Sequence, residues 1–195
     1  MKRFFDVLIS LAGLVLLAPL FLVIAAGIAL GSRRPILFRQ ERIGRHFRPF
    51  TLYKFRTMVT GSEAGPPVTA QGDPRVTSIG RLLRKTKLDE LPQLVNVLKG
   101  DMSLVGPRPE VRKYVELFRV EYEEVLSVRP GITDHAAIAY RDEEALLKQY
   151  PDPEMGYIQA VLPAKIELYR RYVRERKMFT DVEILWATLW RLAGG

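Results

Sequence analysis

Apolar residues dominate the first thirty positions of the chain. From Phe4 to Gly31 the only charge is Asp6, and Pro19 interrupts the run VLLAPLFLV near its middle. Proline lacks a backbone N–H, and its ring opposes the carbonyl four residues back, so a helix must break or kink there. As one helix the 28 positions would reach about 42 Å, against a bilayer hydrocarbon core of about 30 Å. Broken at Pro19, each arm is roughly 20 Å, too short to cross. The pattern predicts a helix-break-helix over residues 1–34. It is read as a re-entrant hairpin with both ends on one side, against the simpler alternative of a kinked spanning helix.

Beyond residue 35 the period changes. Residues 36–57, with Phe50, Leu52, Tyr53 and Phe55, predict two short strands around a turn marked by Gly44 and Pro49. Residues 60–75 form a Gly- and Pro-rich loop, either a lid or a plain connection. Leu88, Leu91, Leu94, Val95 and Leu98 recur at helical spacing. Pro92 fits only a first turn, so that helix should begin near Asp89 and stop at Gly100. One amphipathic helix is predicted over 110–127, ended by Arg129-Pro130-Gly131. A second covers 153–177 with a new start at Pro163, and a short one over 181–192 carries Trp186, Leu189 and Trp190. The tryptophans suit a membrane interface, a homodimer contact or an ordinary core. The fold class is mostly α with a short β-hairpin (α+β). A membrane hairpin (1–34) joins a compact cytosolic domain (35–195) lying on the membrane.

Charge sharpens this picture. The net charge is +8, and residues 1–56 hold ten Lys/Arg against Asp6 and Glu41, so the whole excess accompanies the apolar segment. Lys2 and Arg3 flank one end of that segment, and Arg33 and Arg34 the other, which favours both ends facing the cytoplasm. Arg39, Arg42, Arg45, Arg48, Lys54 and Arg56 decorate the predicted hairpin. Next to an apolar segment, anionic lipid head groups are a better partner for this charge than nucleic acid. A phosphorylated ligand fits as well, and a solvated face is the bland alternative. The chain has no cysteine, which excludes a disulfide scaffold, a zinc–thiolate site and a thiol nucleophile. His46 and His135 are far apart, and a histidine metal site is not expected.

Two short motifs can carry chemistry. The Asp89–Glu90 pair lies at a predicted helix start, where backbone N–H groups favour ionised carboxylates. An ionised carboxylate can cap the helix, act as a nucleophile or hold a hard cation such as Mg2+. Arg108 stands between Pro107 and Pro109, on a stiff turn suited to gripping a phosphate with two parallel hydrogen bonds.

The stretches RQERIGRHFRPFTLYKFRTM, DPRVTSIGRLLRKTKLDELPQLVNVLKGDMSLVGPRP and RPGIT, with the N-terminal hairpin and VLPAKIELYRRYV, resemble the bacterial sugar transferases. These are monotopic phosphoglycosyl transferases acting on polyprenol phosphate. The resemblance implies transfer of a sugar 1-phosphate from a UDP-sugar to polyprenol (undecaprenyl) phosphate, with UMP released. It implies a covalent phosphosugar on Asp89, required Mg2+ held by Asp89 and Glu90, and a hairpin broken at Ala18–Pro19 that enters the inner membrane from its cytoplasmic face. Glu90 is then a metal ligand or a proton handler, and Arg108, Arg84, Lys87 and Arg129 bind substrate phosphates.

The sequence departs from the family pattern in three places. Ala18 stands where Ser is frequent, Val95 where an aromatic is frequent, and DHAAIAYRDEEALL follows RPGIT in place of a Gly-Trp-containing stretch. The chain is also expected to be a minimal catalytic unit without further N-terminal membrane helices. Two other functions compete on the residues alone: a basic membrane-anchored protein binding lipid or nucleic acid, and a metal-dependent phosphodiester hydrolase.

Overall fold

A computed structural model describes residues 1–31, 35–62 and 65–192. Arg33 and Arg34, expected to flank the apolar segment, lie outside the described residues. The first two helices are α1 (Lys2–Leu16) and α2 (Ala18–Gly31), bent by 60°. Among the described residues no single helix is long and apolar enough to cross a membrane, and this bent pair alone reaches that length and composition together. The break falls at Leu17, two residues before Pro19. Pro19 has no N–H for the Val15 carbonyl and its ring pushes against it. Ladder bonds resume on either side, from Leu17 N–H to Gly13 O and from Phe21 N–H to Leu17 O, both 2.9 Å.

The polar residues of α1 point into the protein. Asp6 is buried, and it accepts from Ser103 Oγ at 2.9 Å and Leu104 N–H at 3.1 Å. Lys2 Nζ reaches Asp181 at 2.5 Å and Val105 O at 3.0 Å. Arg3 donates to Val97 O at 2.5 Å and Leu98 O at 2.9 Å. Lys2 and Arg3, read in sequence as flanking charges, thus lock the start of α1 onto the domain. The opposite face exposes Phe4, Leu8, Leu11 and Val15, while α2 buries Ile24 and Ile28 against Phe55 and Leu83.

The predicted hairpin is present. Strands β1 (Leu37–Ile43) and β2 (Pro49–Phe55) pair antiparallel, from Leu37 opposite Phe55 to Ile43 opposite Pro49. Their turn puts His46 and Phe47 at positive φ, and His46 N–H is tied to Leu126 O at 2.8 Å. Helix α3 (Ser78–Thr86) closes at Lys87 in the left-handed conformation. A 3-10 turn (Leu88–Glu90) and α4 (Gln93–Lys99, ended by Gly100) follow. The acid pair therefore precedes α4 rather than opening it: Pro92 is the cap, and helical bonding starts after it.

Strands β3 (Ser103–Val105) and β4 (Gly131–Thr133) form a short parallel pair that alternation could not reveal, since three residues give no period. Beyond them Gly106 and Gly131 touch backbone to backbone. A Cβ on Gly131 would lie 2.1 Å from Gly106 N, so neither position tolerates a side chain. The expected single helix over 110–127 is two, α5 (Arg112–Leu117) and α6 (Arg119–Val125), broken at Phe118 (φ −120°, ψ 40°). Helices α7 (His135–Ala139), α8 (Glu143–Leu147) and α9 (Pro153–Gly156) lead through a π-helical turn (Tyr157–Val161) into α10 (Leu162–Glu175), with Pro163 in its first turn.

The main core gathers Tyr122, Leu126, Leu147, Leu162 and Tyr169 between α6 and α10. Helix α11 (Met178–Leu192) buries Ile184 but exposes Phe179, Val182, Trp186, Leu189 and Trp190. The tryptophans are not core residues: Trp186 is 70% and Trp190 62% exposed.

Asp6→Ala would leave Ser103 Oγ and Leu104 N–H buried without their acceptor. It should lower stability by about 2–3 kcal/mol in a detergent thermal melt. A change within about 0.5 kcal/mol, typical of an inert surface site, would show that α1 is held by its apolar contacts alone.

Candidate active site

A cleft of about 280 Å3 opens between β2, the 60–75 loop, the 3-10 turn and α8. Nine Lys/Arg side chains line it against five carboxylates, a balance that suits a polyanion. One wall is Phe38, Phe55, Tyr114 and Tyr157; another is Pro66, Pro67 and Val68 from the loop, which is therefore part of the site and not a remote connection.

Three separate pieces of backbone meet at Glu90. Arg108 takes its carboxylate as a fork, Nη2 to Oε1 at 2.5 Å and Nη1 to Oε2 at 3.1 Å. Lys54, from β2, reaches Oε1 at 3.0 Å. Burial opposes ionisation of Glu90, but the Arg108 and Lys54 charges outweigh it and hold the carboxyl well below the usual range. Burial lowers the Lys54 ammonium in turn, with Glu90 pulling it back up. Glu90 is thus held as an anion between two cations.

Asp89 is held differently. It is 7% exposed, and its Oδ1 has no hydrogen-bond partner. Burial pushes its carboxyl up, opposed by Lys54 and reinforced by neighbouring Glu90; Arg84 and Lys87 also favour the anion. A carboxylate oxygen without donors keeps its charge undispersed, which favours nucleophilic attack. Strain sits beside it, since Lys87 at φ 58° turns the chain out of α3 and into the 3-10 turn.

Of the other residues expected to bind phosphate, Arg84 and Lys87 line the same cleft. Arg84 is anchored to Thr57 Oγ1 at 2.9 Å and Glu144 at 2.7 Å, whereas Lys87 is an exposed cation at the rim. Arg129 is not with them. Its Nε donates to Gly100 O at 2.8 Å, and it lines a different cavity. The two turns touch at Gly106 and Gly131, but their side chains part: Arg108 goes to Glu90 and Arg129 to Gly100 O. Arg42, from the basic hairpin, is spent on Glu110 at 3.2 Å. Residues not singled out in the sequence include Lys54 as the second cation on Glu90, and the buried Lys165–Glu143 pair (2.8 Å) with Arg141 on the far wall. Lys54 carried a signal, a cation amid the aromatic residues of a strand. Arg141 and Glu143 lie in a segment whose short helices have no clear period, and Lys165 lies in the predicted 153–177 helix with nothing to mark its partner.

The described residues contain no group of three His, Cys, Asp or Glu side chains able to cage a metal. What the donors fit is a hydrated Mg2+ that takes one or two carboxylates and completes its shell from water and phosphate oxygens. The unpartnered Asp89 Oδ1 is an oxygen that could serve as such a ligand, and Glu90 lies beside it with both oxygens already engaged by cations.

Comparison with known proteins identifies the family of the chain. Residues 1–195 match the family model described as bacterial sugar transferase. The chain is 37% identical to a UDP-N-acetylgalactosamine-undecaprenyl-phosphate N-acetylgalactosaminephosphotransferase of Aeromonas hydrophila, over 100% of this chain and 44% of that protein. It is 35% identical to the UDP-glucose:undecaprenyl-phosphate glucose-1-phosphate transferase of Escherichia coli (strain K12), over 98% of this chain and 40% of that one. A Bacillus subtilis (strain 168) relative, the uncharacterized sugar transferase EpsL, is 38% identical over 97% of this chain and 85% of its own length. The chain thus spans less than half of the first two relatives. With the match running from its first residue to its last, the chain belongs to the bacterial sugar transferase family.

Proposed function

We propose that this chain is a phosphoglycosyl transferase. It moves a sugar 1-phosphate from a UDP-sugar to undecaprenyl phosphate, at the cytoplasmic face of the inner membrane. The observation that carries the reading is the pairing of an unpartnered buried carboxylate, Asp89, with an adjacent carboxylate fixed by two cations, in a cleft with surplus positive charge. The names of the relatives supply the substrate classes.

The cations of the cleft draw in the diphosphate and screen its charge, so that an anionic nucleophile can approach. Asp89 attacks the phosphorus that bears the sugar. A carboxylate oxygen–phosphorus bond forms, the bond to the bridging oxygen breaks, and UMP leaves with that oxygen. An oxygen of the lipid phosphate then attacks the same phosphorus and releases Asp89. Arg108 and Lys54 keep Glu90 ionised beside the reacting group, where they also meet the charge that accumulates on the phosphoryl oxygens. When bound, Mg2+, held by Asp89 and Glu90, supplies further neutralisation of the diphosphate oxygens.

The membrane part of the reading rests on apolar exposure. The outer face of α1, the tip at Leu16 and Leu22, and the Phe179–Trp190 face of α11 remain uncovered by the protein. In this reading α1 and α2 dip into one leaflet and return. The exposed Trp186 and Trp190 lie at head-group level.

With Mg2+, undecaprenyl phosphate and a panel of UDP-sugars, UMP release should require the lipid, and a chelator should abolish it. Asp89→Asn should reduce it by at least about 10³-fold with folding unchanged. Turnover retained in Asp89→Asn would remove the nucleophile assignment, and UMP released without lipid would indicate a hydrolase. The native chain has no cysteine, so single probes are clean. A cysteine placed ahead of Met1 and a Ser32→Cys variant should react with an impermeant maleimide from the same side of sealed vesicles. Labelling from opposite sides would mean that the bent pair spans.

A further inference from the structure

Arg129, absent from the Asp89 cleft, points to a second basic site. A cavity of about 160 Å3 lies beside the start of α1, and Lys2, Arg3, Asp6, Arg45, Arg129 and Arg176 line it. It shares no lining residue with the Asp89 cleft. Its single carboxylate, Asp6, is consumed by Ser103 and the Leu104 N–H. Lys2 is neutralised by Asp181, and Arg3 is tied to two carbonyls. Three guanidiniums are left. Among the described residues Arg45 and Arg129 commit only Nε, to Ser127 O at 3.0 Å and Gly100 O at 2.8 Å, which orients each side chain and leaves both terminal nitrogens for a ligand. Arg176 is exposed at the link between α10 and α11 and makes no ion pair among the described residues.

Guanidiniums anchored through Nε, with their forks unspent, match an anion that offers several oxygens in one plane or tripod, as a phosphate does. The surroundings identify the source. Phe4 and Phe5 at the start of α1 and Phe179 at the start of α11 are 67%, 43% and 71% exposed. Helix α1 begins at this cavity, Arg176 on its lining lies just ahead of α11, and Lys2 joins the two helices through Asp181. A phosphate held there by Arg45, Arg129 and Arg176 would lie at the same end of α1 that exposes Phe4 and Phe5 on its other sides, so that acyl chains attached to it have apolar surface within reach, from which a free inorganic ion gains nothing. We infer that this cavity, separate from the reacting centre, binds the phosphodiester head group of an anionic phospholipid and fixes the depth at which α1 and α11 enter the membrane. The inference rests on the membrane placement proposed above but not on the transfer chemistry.

Native mass spectrometry of the full-length chain in maltoside detergent tests it. Phosphatidylglycerol and phosphatidylcholine of equal chain length are titrated, each with and without millimolar inorganic phosphate. One phosphatidylglycerol should be retained in preference to phosphatidylcholine. The double variant Arg45→Gln/Arg176→Gln should weaken it at least about fivefold, the loss of one charge-assisted contact. The charge-matched pair Arg39→Gln/Arg171→Gln, whose residues lie outside the cavity, should change it by less than about twofold. The melting temperature of each variant is taken in the same detergent, and the comparison is made with pairs that melt as the native chain does. Equal weakening by both pairs, or no preference for phosphatidylglycerol, would overturn the site. Displacement of the lipid by inorganic phosphate would overturn the lipid source and make the cavity a free-phosphate site. UMP release is not the readout, so failure here leaves the Asp89 reading standing, and failure of that reading leaves this one.

Discussion

The site depends on one buried carboxylate being held from two sides. Glu90 lies between Arg108 and Lys54, and each of the three comes from a different part of the chain. A buried charge without partners would be untenable, so the hairpin, the 3-10 turn and the Gly-Pro-Arg-Pro turn must all be in place together. Their supports follow from this. Strand β2 is fixed by its register with β1. The turn bearing Arg108 is fixed by the β3–β4 pair and by the Gly106–Gly131 contact, where nothing larger than hydrogen fits. Asp89 inherits its position from Glu90. The two neighbours then diverge electrostatically, because one is surrounded by donors and the other has an oxygen with none.

A second buried carboxylate does the same work for the apolar hairpin. Asp6 binds β3 through Ser103 and Leu104, and Lys2 and Arg3 fasten the same helix to α11 and to the end of α4. The apolar segment is therefore not an independent anchor. Its first turns are part of the body that holds the cleft, so the height of α1 and that of the cleft are mechanically linked. Charges that a hydropathy plot treats as interruptions are here the means of attachment.

Much of this was legible in the sequence. Pro19 announced the break, although the bend falls two residues earlier, where the opposed carbonyl must yield. The hairpin strands, the stop at Gly100 and the candidacy of Asp89, Glu90 and Arg108 follow from period and residue chemistry, whereas Arg84 and Lys87, which line the same cleft, came only from the family resemblance. What failed did so for identifiable reasons. Strands of three residues carry no alternation, so β3 and β4 were invisible, and with them the contact of Gly106 with Gly131. The apolar face over 110–127 is continuous, yet nothing in it marks the break at Phe118. Charge pattern showed that the hairpin is basic, but not that Lys54 would turn to Glu90 while Arg42 turned to Glu110. Destinations of that kind are set by tertiary neighbours.

The central claim is that Asp89 becomes covalently bonded to phosphorus during turnover. Intact-mass and peptide-mapping spectrometry of the chain, quenched after mixing with Mg2+ and each of UDP-glucose, UDP-galactose and UDP-N-acetylgalactosamine in the absence of lipid, addresses it directly. The account predicts, with at least one of these donors, a mass gain of one sugar phosphate on the peptide containing Asp89. That adduct should be lost on adding undecaprenyl phosphate and absent in Asp89→Asn. Turnover to a lipid product with no adduct at any quench time, or an adduct that persists in Asp89→Asn, would contradict it.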